Sequence, residues 1–239
     1  MEVVKPSLEE KFIESFGIEW YETMEEYLHS STFLTIGATI AKIRKGREVF
    51  PAPNKVFRIF KEVPLSQVRV VMLGLDPYNT PKTACGHAFC NCEAYKVSPS
   101  LKIIHQEIED EYPELVDRFI MPAGGIDKWD LKYLVRQGVF LWNTALTVER
   151  DIPESHLELW RPFTIQVIKE LNKIPFLVWL LLGKKAQGYE QLISSKHAIV
   201  TAVHPAAEAY RPGAGFLHSG CFRQVNYHLN RMGKREIEW

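Results

Sequence analysis

Val68-Arg69-Val70-Val71-Met72-Leu73-Gly74-Leu75-Asp76-Pro77-Tyr78-Asn79 sets the reading of the whole chain. Its first half is apolar and largely β-branched, and it stops at a glycine and an Asp-Pro turn opener, the form of a strand buried on both faces. Three further runs share that form: Val139 to Trp142, Phe176 to Leu182 and Ala198 to Val203. Between them lie helical patterns, Leu101 to Tyr112, Lys128 to Gln137, Arg161 to Leu171 with Pro162 near its start, and Lys184 to Ser194. Upstream, Phe33, Ile36, Ile40 and Ile43 recur at helical spacing, with Gly46 as a stop. Strands alternating with helices predict an α/β fold whose parallel sheet is covered on both faces. Each strand run is followed by polar residues: Asp76 to Asn79, Asn143-Thr144, Lys184 and His204. Ligands of open α/β sheets bind in the crevice outside the carboxyl ends of the strands. Asp76, Asn143 and His204 are therefore expected in one pocket, far apart though they are in sequence.

With 239 residues, 46% of them hydrophobic, the chain can bury one large core, and no repeat or linker divides it, so residues 1–239 read as one domain. The longest apolar run, Ile174 to Leu182, contains Pro175 and is about half of the roughly 20 residues a membrane helix needs. The first twelve residues carry charges where a signal peptide needs an apolar stretch, so a cytoplasmic protein is expected, with no membrane partner. Cys85, Cys90 and Cys92 lie close together and Cys221 far off, which fits neither paired CxxC zinc spacing nor a dense secreted disulfide framework. They read as reduced thiols, and no metal or cofactor is expected. The 29 basic and 29 acidic residues cancel, so nucleic-acid binding requires a local basic face. Lys82, Lys184, Lys185, Arg211, His218 and Arg223 are its candidates, while acids crowd Glu107 to Asp117. No Gly-x-Gly-x-x-Gly or phosphate-binding Gly-rich loop follows a strand, which argues against a nucleotide-binding Rossmann-like enzyme.

Gly74 to Asn79, followed by Gly86-His87-Ala88-Phe89, resembles the water-activating motif of family-one uracil-DNA glycosylases, Gly-Gln-Asp-Pro-Tyr-His with its downstream Gly-Leu-Ala-Phe. Val139 to Val148, then Ser155-His156 and Trp160, is similar to that family's strand ending in the base-reading Asn. His204-Pro205-Ala206-Ala207-Glu208-Ala209-Tyr210-Arg211, then Ser219, Phe222 and Asn226, is similar to its His-Pro loop and phosphate-gripping segment. Phe50 to Pro53, Ser98 to Leu101 and Leu182 to Gln187 add shorter matches in the family's order, so that the resemblance spans about residues 8 to 230. Leu75 stands for the family's Gln, Asn79 for its His, Lys184 for a Ser, and the wedge Leu that the family pushes into DNA has no counterpart.

The resemblance implies a three-layer α/β/α domain with a central four-stranded parallel sheet, a monomer that excises uracil from single- or double-stranded DNA without metal or cofactor. It also implies the family's sensitivity to a proteinaceous inhibitor. Asp76 would position or deprotonate water, and a neutral His204 would donate to uracil O2. Leu75 through its backbone, Tyr78, Phe89 and Asn143 would bind uracil: Phe89 stacks, Asn143 reads O4 and N3, and Tyr78 fills the space of thymine's methyl. Asn79, Ser98, Ser100, Lys184, Arg211 and Ser219 would contact DNA. The lengthened loop offers Tyr210, Phe216 and Leu217 in place of the wedge, with Phe216 or Leu217 preferred, while Glu208 would be repelled by phosphates. Two rival readings stay open on the sequence: a catalytically silent DNA- or protein-binding module on the same fold, and a glycosylase of broader mismatch specificity.

Overall fold

The computed structural model describes residues 6–91, 97–114 and 131–239. α1 (Leu8–Phe16) starts on a capping box in which Ser7 Oγ accepts the Glu10 amide (3.1 Å) and the Glu10 carboxylate accepts the Ser7 amide (2.7 Å). α2 (Ile18–Leu28) and α3 (Ser31–Ile43) follow and bury Trp20, Met24, Phe33, Ile36 and Ile40. A two-residue β1 (Val49–Phe50) and α4 (Arg58–Glu62) lead into β2 (Val70–Gly74). α5 (Pro99–Glu111) is N-capped by Ser98, with Pro99 at the first position, where its missing N–H costs nothing. α6 (Lys132–Val135), β3 (Val139–Asn143) and β4 (Val148–Glu149) precede α7 (Leu157–Leu171), β5 (Val178–Leu182) and α8 (Lys184–Gln187). β6 (Ala198–Ala202), α9 (Pro205–Tyr210) and α10 (Cys221–Arg231) complete the order.

Three helical readings change. The stretch from Lys128 is a single turn, Lys132–Val135, in its described part, and residues 128–130 lie outside the described residues. Arg161 to Leu171 starts earlier, at Leu157, with Pro162 inside the helix rather than at its start. Lys184 to Ser194 breaks after one turn at Gly188 and resumes as a 3₁₀ turn, Glu190–Leu192.

β2, β3, β5 and β6 form one parallel sheet in the order β3-β2-β5-β6, and β1 pairs antiparallel with β4. Every residue of β2, β3 and β5 is buried although alternate side chains point to opposite faces, so helices cover both faces and the domain is a three-layer α/β/α. Trp20 of α2 and Phe60 of α4 pack on Phe140 of β3, with ring centroids at 5.3 and 5.2 Å, and α10 lies along β5 and β6. β3 and β6 are the edge strands, and of the two β6 keeps a residue, Thr201, exposed. Parallel pairing with Gly74 opposite Asn143 and Leu182 opposite Ala202 brings all four carboxyl ends to one edge. Among the described residues no helix is long and apolar enough to cross a membrane.

Candidate active site

At that edge opens a cavity of about 480 Å³. Leu75, Asp76, Tyr78 and Asn79 line it from the turn after β2, Phe89 from the following loop, and Ser100 from the first turn of α5. Asn143 from the end of β3, Lys184 from α8 and His204 from the turn after β6 complete the sequence-predicted set that meets there. The convergence expected of Asp76, Asn143 and His204 is present.

Local folding fixes each group. His204 caps α9, its Nδ1 accepting the Ala206 amide at 3.1 Å. A neutral ring that accepts at Nδ1 carries its proton on Nε2, and burial holds His204 below the ordinary imidazole pKa, toward that neutral form. Asp76 Oδ2 accepts the Glu154 amide at 2.7 Å; burial raises its pKa, and that amide opposes the rise. Glu154 is itself held by an ion pair with Lys185, so a loop and a helix far from the motif clamp its carboxylate. Tyr78 is locked through its hydroxyl, 2.6 Å from Ser98 Oγ and 3.4 Å from the Phe89 carbonyl that it faces as donor. Leu75 contributes backbone: its carbonyl accepts the Thr144 hydroxyl and the Ala145 amide, each at 2.8 Å, tying the turn after β2 to that after β3. Gly74 makes room for Asn143 there: a Cβ would stand 2.2 Å from Asn143 Oδ1 and would displace that side chain. Phe89 and His204 face each other with ring centroids at 6.0 Å.

Five predicted DNA contacts lie elsewhere. Ser98 is buried, accepts the Leu101 amide at 3.4 Å and bonds Tyr78, so its hydroxyl serves the interior. Ser219 donates to Glu107 Oε1 at 3.0 Å, beside a buried carboxylate that would repel phosphate. Phe216 is 0% exposed and belongs to the core, so it cannot enter a base stack from this conformation, and the wedge assignment is corrected. Leu217 packs half-buried against the same core. Arg211 is exposed at the end of α9, outside the cavity.

Sequence reasoning missed Glu154, and it missed the parts that Glu208 and Lys185 play inside the fold, Lys185 having been read only as part of a basic face. Glu208 is buried, and its carboxylate accepts the amides of Gly213 (2.5 Å), Gly215 (2.8 Å) and Phe216 (2.9 Å), which hold its pKa low against burial. It shapes the loop in which the sequence reading only excludes it as a wedge, on the ground of phosphate repulsion. A Gly-rich stretch five to eight residues beyond a helical Glu is the signal that was available. The large apolar residue that α9 does present is Tyr210, 81% exposed and one helical turn beyond the cavity-lining Ala206.

A three-layer α/β/α domain that brings a carboxylate and a neutral imidazole to one pocket at its strand ends defines an α/β protein with an acid–base pair facing its ligand crevice. The model of the Uracil DNA glycosylase superfamily matches residues 60–230. A uracil-DNA glycosylase of Actinobacillus succinogenes is 41% identical over 199 residues, 81% of this chain and 84% of its own length. That of Fusobacterium nucleatum is 33% identical over 227 residues, 92% and 94% of the two chains. The solved structure of mimivirus uracil-DNA glycosylase superposes with a TM-score of 0.77 at 22% identity, covering 100% of this chain and 95% of its own. A variant of mimivirus UNG in complex with UGI gives 0.79 at 23% identity, covering 95% and 89%. The chain belongs to the uracil-DNA glycosylase superfamily.

Proposed function

We propose that the chain hydrolyses the N-glycosidic bond of uracil in DNA, as the relatives' names describe for them, and leaves an abasic site. The observation that carries this reading is the His204 ring, turned by the Ala206 amide into an Nε2–H donor on the same cavity as the Asp76 carboxylate. As the bond breaks, negative charge grows on uracil O2 and positive charge on the sugar. A neutral His204 donates to the first; Asp76, with Oδ2 committed to Glu154, offers Oδ1 to the sugar cation and to the attacking water. Phe89 supplies a stacking face, and Tyr78, immobilised by Ser98, fills the space a thymine methyl needs. The Asn143 amide makes no hydrogen bond among the described residues and is available to read the base edge, where a wrong base leaves buried polar groups unpaired.

A duplex base is reached only by extrusion, at a cost of a few kcal/mol. Ser100 and the amino end of α5, with Asn79 and Lys184, are the groups placed to hold the flanking phosphates. Tyr210 takes the wedge position in place of Phe216. Binding of a proteinaceous inhibitor over this edge is part of the same reading, given the mimivirus UNG complex with UGI. The test is single-turnover release of uracil from a defined oligonucleotide without added metal. Release expected of the folded chain, and none from matched thymine or cytosine strands, supports the reading. DNA binding without release would replace it with a silent binding module.

A further inference from the structure

Beside Phe89, and reaching the cavity wall through His87, three ligand-type side chains meet inside six residues. Cys85 Sγ, Cys90 Sγ and a ring nitrogen of His87 all lie within 4.8 Å of one another, and all three residues are buried, both cysteines completely. The His87 ring is oriented as a metal-bound imidazole is: Nδ1 stands 4.0 Å from Cys85 Sγ while Nε2 stands 3.0 Å from Glu62 Oε2. Glu62 is held in turn by Arg58 Nε at 2.5 Å. The geometry points to a structural zinc site formed by Cys85 Sγ, His87 Nδ1 and Cys90 Sγ, backed by the Glu62 carboxylate.

The chemistry agrees with the spacing. Tetrahedral zinc with bonds of about 2.3 Å to sulfur and about 2.0 Å to nitrogen sets its ligand atoms about 3.5 to 3.8 Å apart, a contraction of at most about 1.3 Å from a cluster whose ligand atoms lie within 4.8 Å of one another. Thiolate and imidazole are the donors that select zinc over hard cations. Two thiolates and a neutral imidazole around Zn²⁺ sum to zero charge, so the centre can be buried without a counter-ion. Binding releases the two thiol protons to solvent and leaves one tetrahedral position to a further ligand. The spacing Cys-x-His-x₂-Cys is not the paired CxxC pattern, and His87 stands where the Gly-Leu-Ala-Phe pattern has a leucine that cannot ligate, so the site belongs to this chain rather than to that pattern.

The backbone gives the metal a task. Gly86 has φ +92°, and a Cβ there would fall 2.2 Å from the Lys55 carbonyl; Phe89, a bulky residue, sits at φ +62° in the left-handed region. Such conformations persist only where the surroundings over-determine them. A metal joining residues 85, 87 and 90 fastens both ends of the turn that presents Phe89 to the cavity. The competing arrangement is the metal-free one, in which the Cys85 thiol donates to the Cys90 carbonyl at 3.4 Å and closes the same turn.

Zinc content of the full chain, purified without added metal and dialysed against chelator-treated buffer, separates the two. About one zinc per chain is expected, falling to background in Cys85→Ser and Cys90→Ser and sharply reduced in His87→Leu. Should those variants fail to fold, wild-type chain stripped of zinc and titrated with Co²⁺ is expected to show thiolate-to-cobalt charge transfer with tetrahedral ligand-field bands, one equivalent at saturation. Background zinc in the wild type together with no charge-transfer band overturns the proposal, as does a Cys85–Cys90 disulfide in the freshly purified chain. Neither readout measures excision, so the failure of this site and the failure of the glycosylase reading are distinguishable.

Discussion

At the scale of single residues, the site separates groups that do chemistry from groups that set shape. Asp76→Asn and His204→Ala are each expected to slow single-turnover release at least about a hundredfold, since one preorganised donor to a developing oxyanion is worth about 3 to 4 kcal/mol. Near-normal rates in both variants would remove them from the mechanism. The acid limb of the rate follows from burial. His204 is held below 6.5 by burial, so it takes up its proton only below that value, losing its fitness as a neutral donor, and burial raises Asp76 above 3.8, so its protonation adds to the same acid limb. Release is therefore expected to be flat above 6.5 and to fall below it, and a bell centred on neutrality in the rate–pH profile would contradict this. Base choice should divide in two: Asn143→Asp admits cytosine by changing the hydrogen-bond pattern, whereas Tyr78→Ala admits thymine by freeing space. Cytosine release by Tyr78→Ala would show that the pocket is assigned the wrong way round.

Among the elements, the joints that bear on function are made by buried carboxylates. Glu107 of α5 is fully buried and accepts the amides of His218 (2.6 Å) and Gly220 (2.9 Å) besides the Ser219 hydroxyl. Its neighbour Glu111 accepts the Phe222 and Arg223 amides at the start of α10. Burial first, then the nearness of Glu107, pushes Glu111 up to about 7 against those amides. An unfolded Glu titrates near 4.5, so between that value and about 7 the folded chain holds the extra proton, and stability falls as pH rises through the window. Melting temperature is expected to decline across it in the wild type and to be flatter in Glu111→Gln; identical slopes would show that Glu111 is not the group. On α9 the Glu208 carboxylate ties down the loop behind Tyr210. Tyr210→Ala is expected to lose far more rate on duplex than on single strands, where little stacking must be broken, and equal losses on both would sink the wedge role. Here the limits of sequence are physical. Strands announce themselves by continuous apolar runs, and polar strand ends locate the pocket. A four-to-six-residue helix such as α4, α8 or α9 holds too few turns for periodicity to register. A hydroxyl such as that of Ser98 or Ser219 reads alike whether its partner is a phosphate or a carboxylate across the core.

Across the whole molecule, a protein with 29 charges of each sign must bind a polyanion by arrangement rather than by sum. The acids that crowd the sequence from Glu107 onward are partly withdrawn from the surface: Glu107 and Glu111 of α5 are spent on amides inside the fold. Of the two lysines of α8 on the cavity, Lys185 is engaged with Glu154, which in turn holds Asp76, so its charge is committed to the catalytic clamp. Lys184 is then the cation of the cavity rim for which no ion pair is formed among the described residues, while the other phosphate contacts, Ser100, Asn79 and the end of α5, are dipoles that displace few counter-ions. Log Kd against log salt on duplex DNA rises by about 0.9 for each phosphate neutralised, so a chain leaning on one or two cations should show a slope of about 1 to 2, far shallower than a strongly basic binder. Lys184→Ala should lower that slope by about 1 and weaken uracil-containing and uracil-free duplexes alike, since a phosphate contact carries no base information. The measurement is a salt series of binding by the slow Asp76→Asn chain, with and without the lysine. A steep slope unchanged by Lys184→Ala would place the DNA on a different face of the molecule.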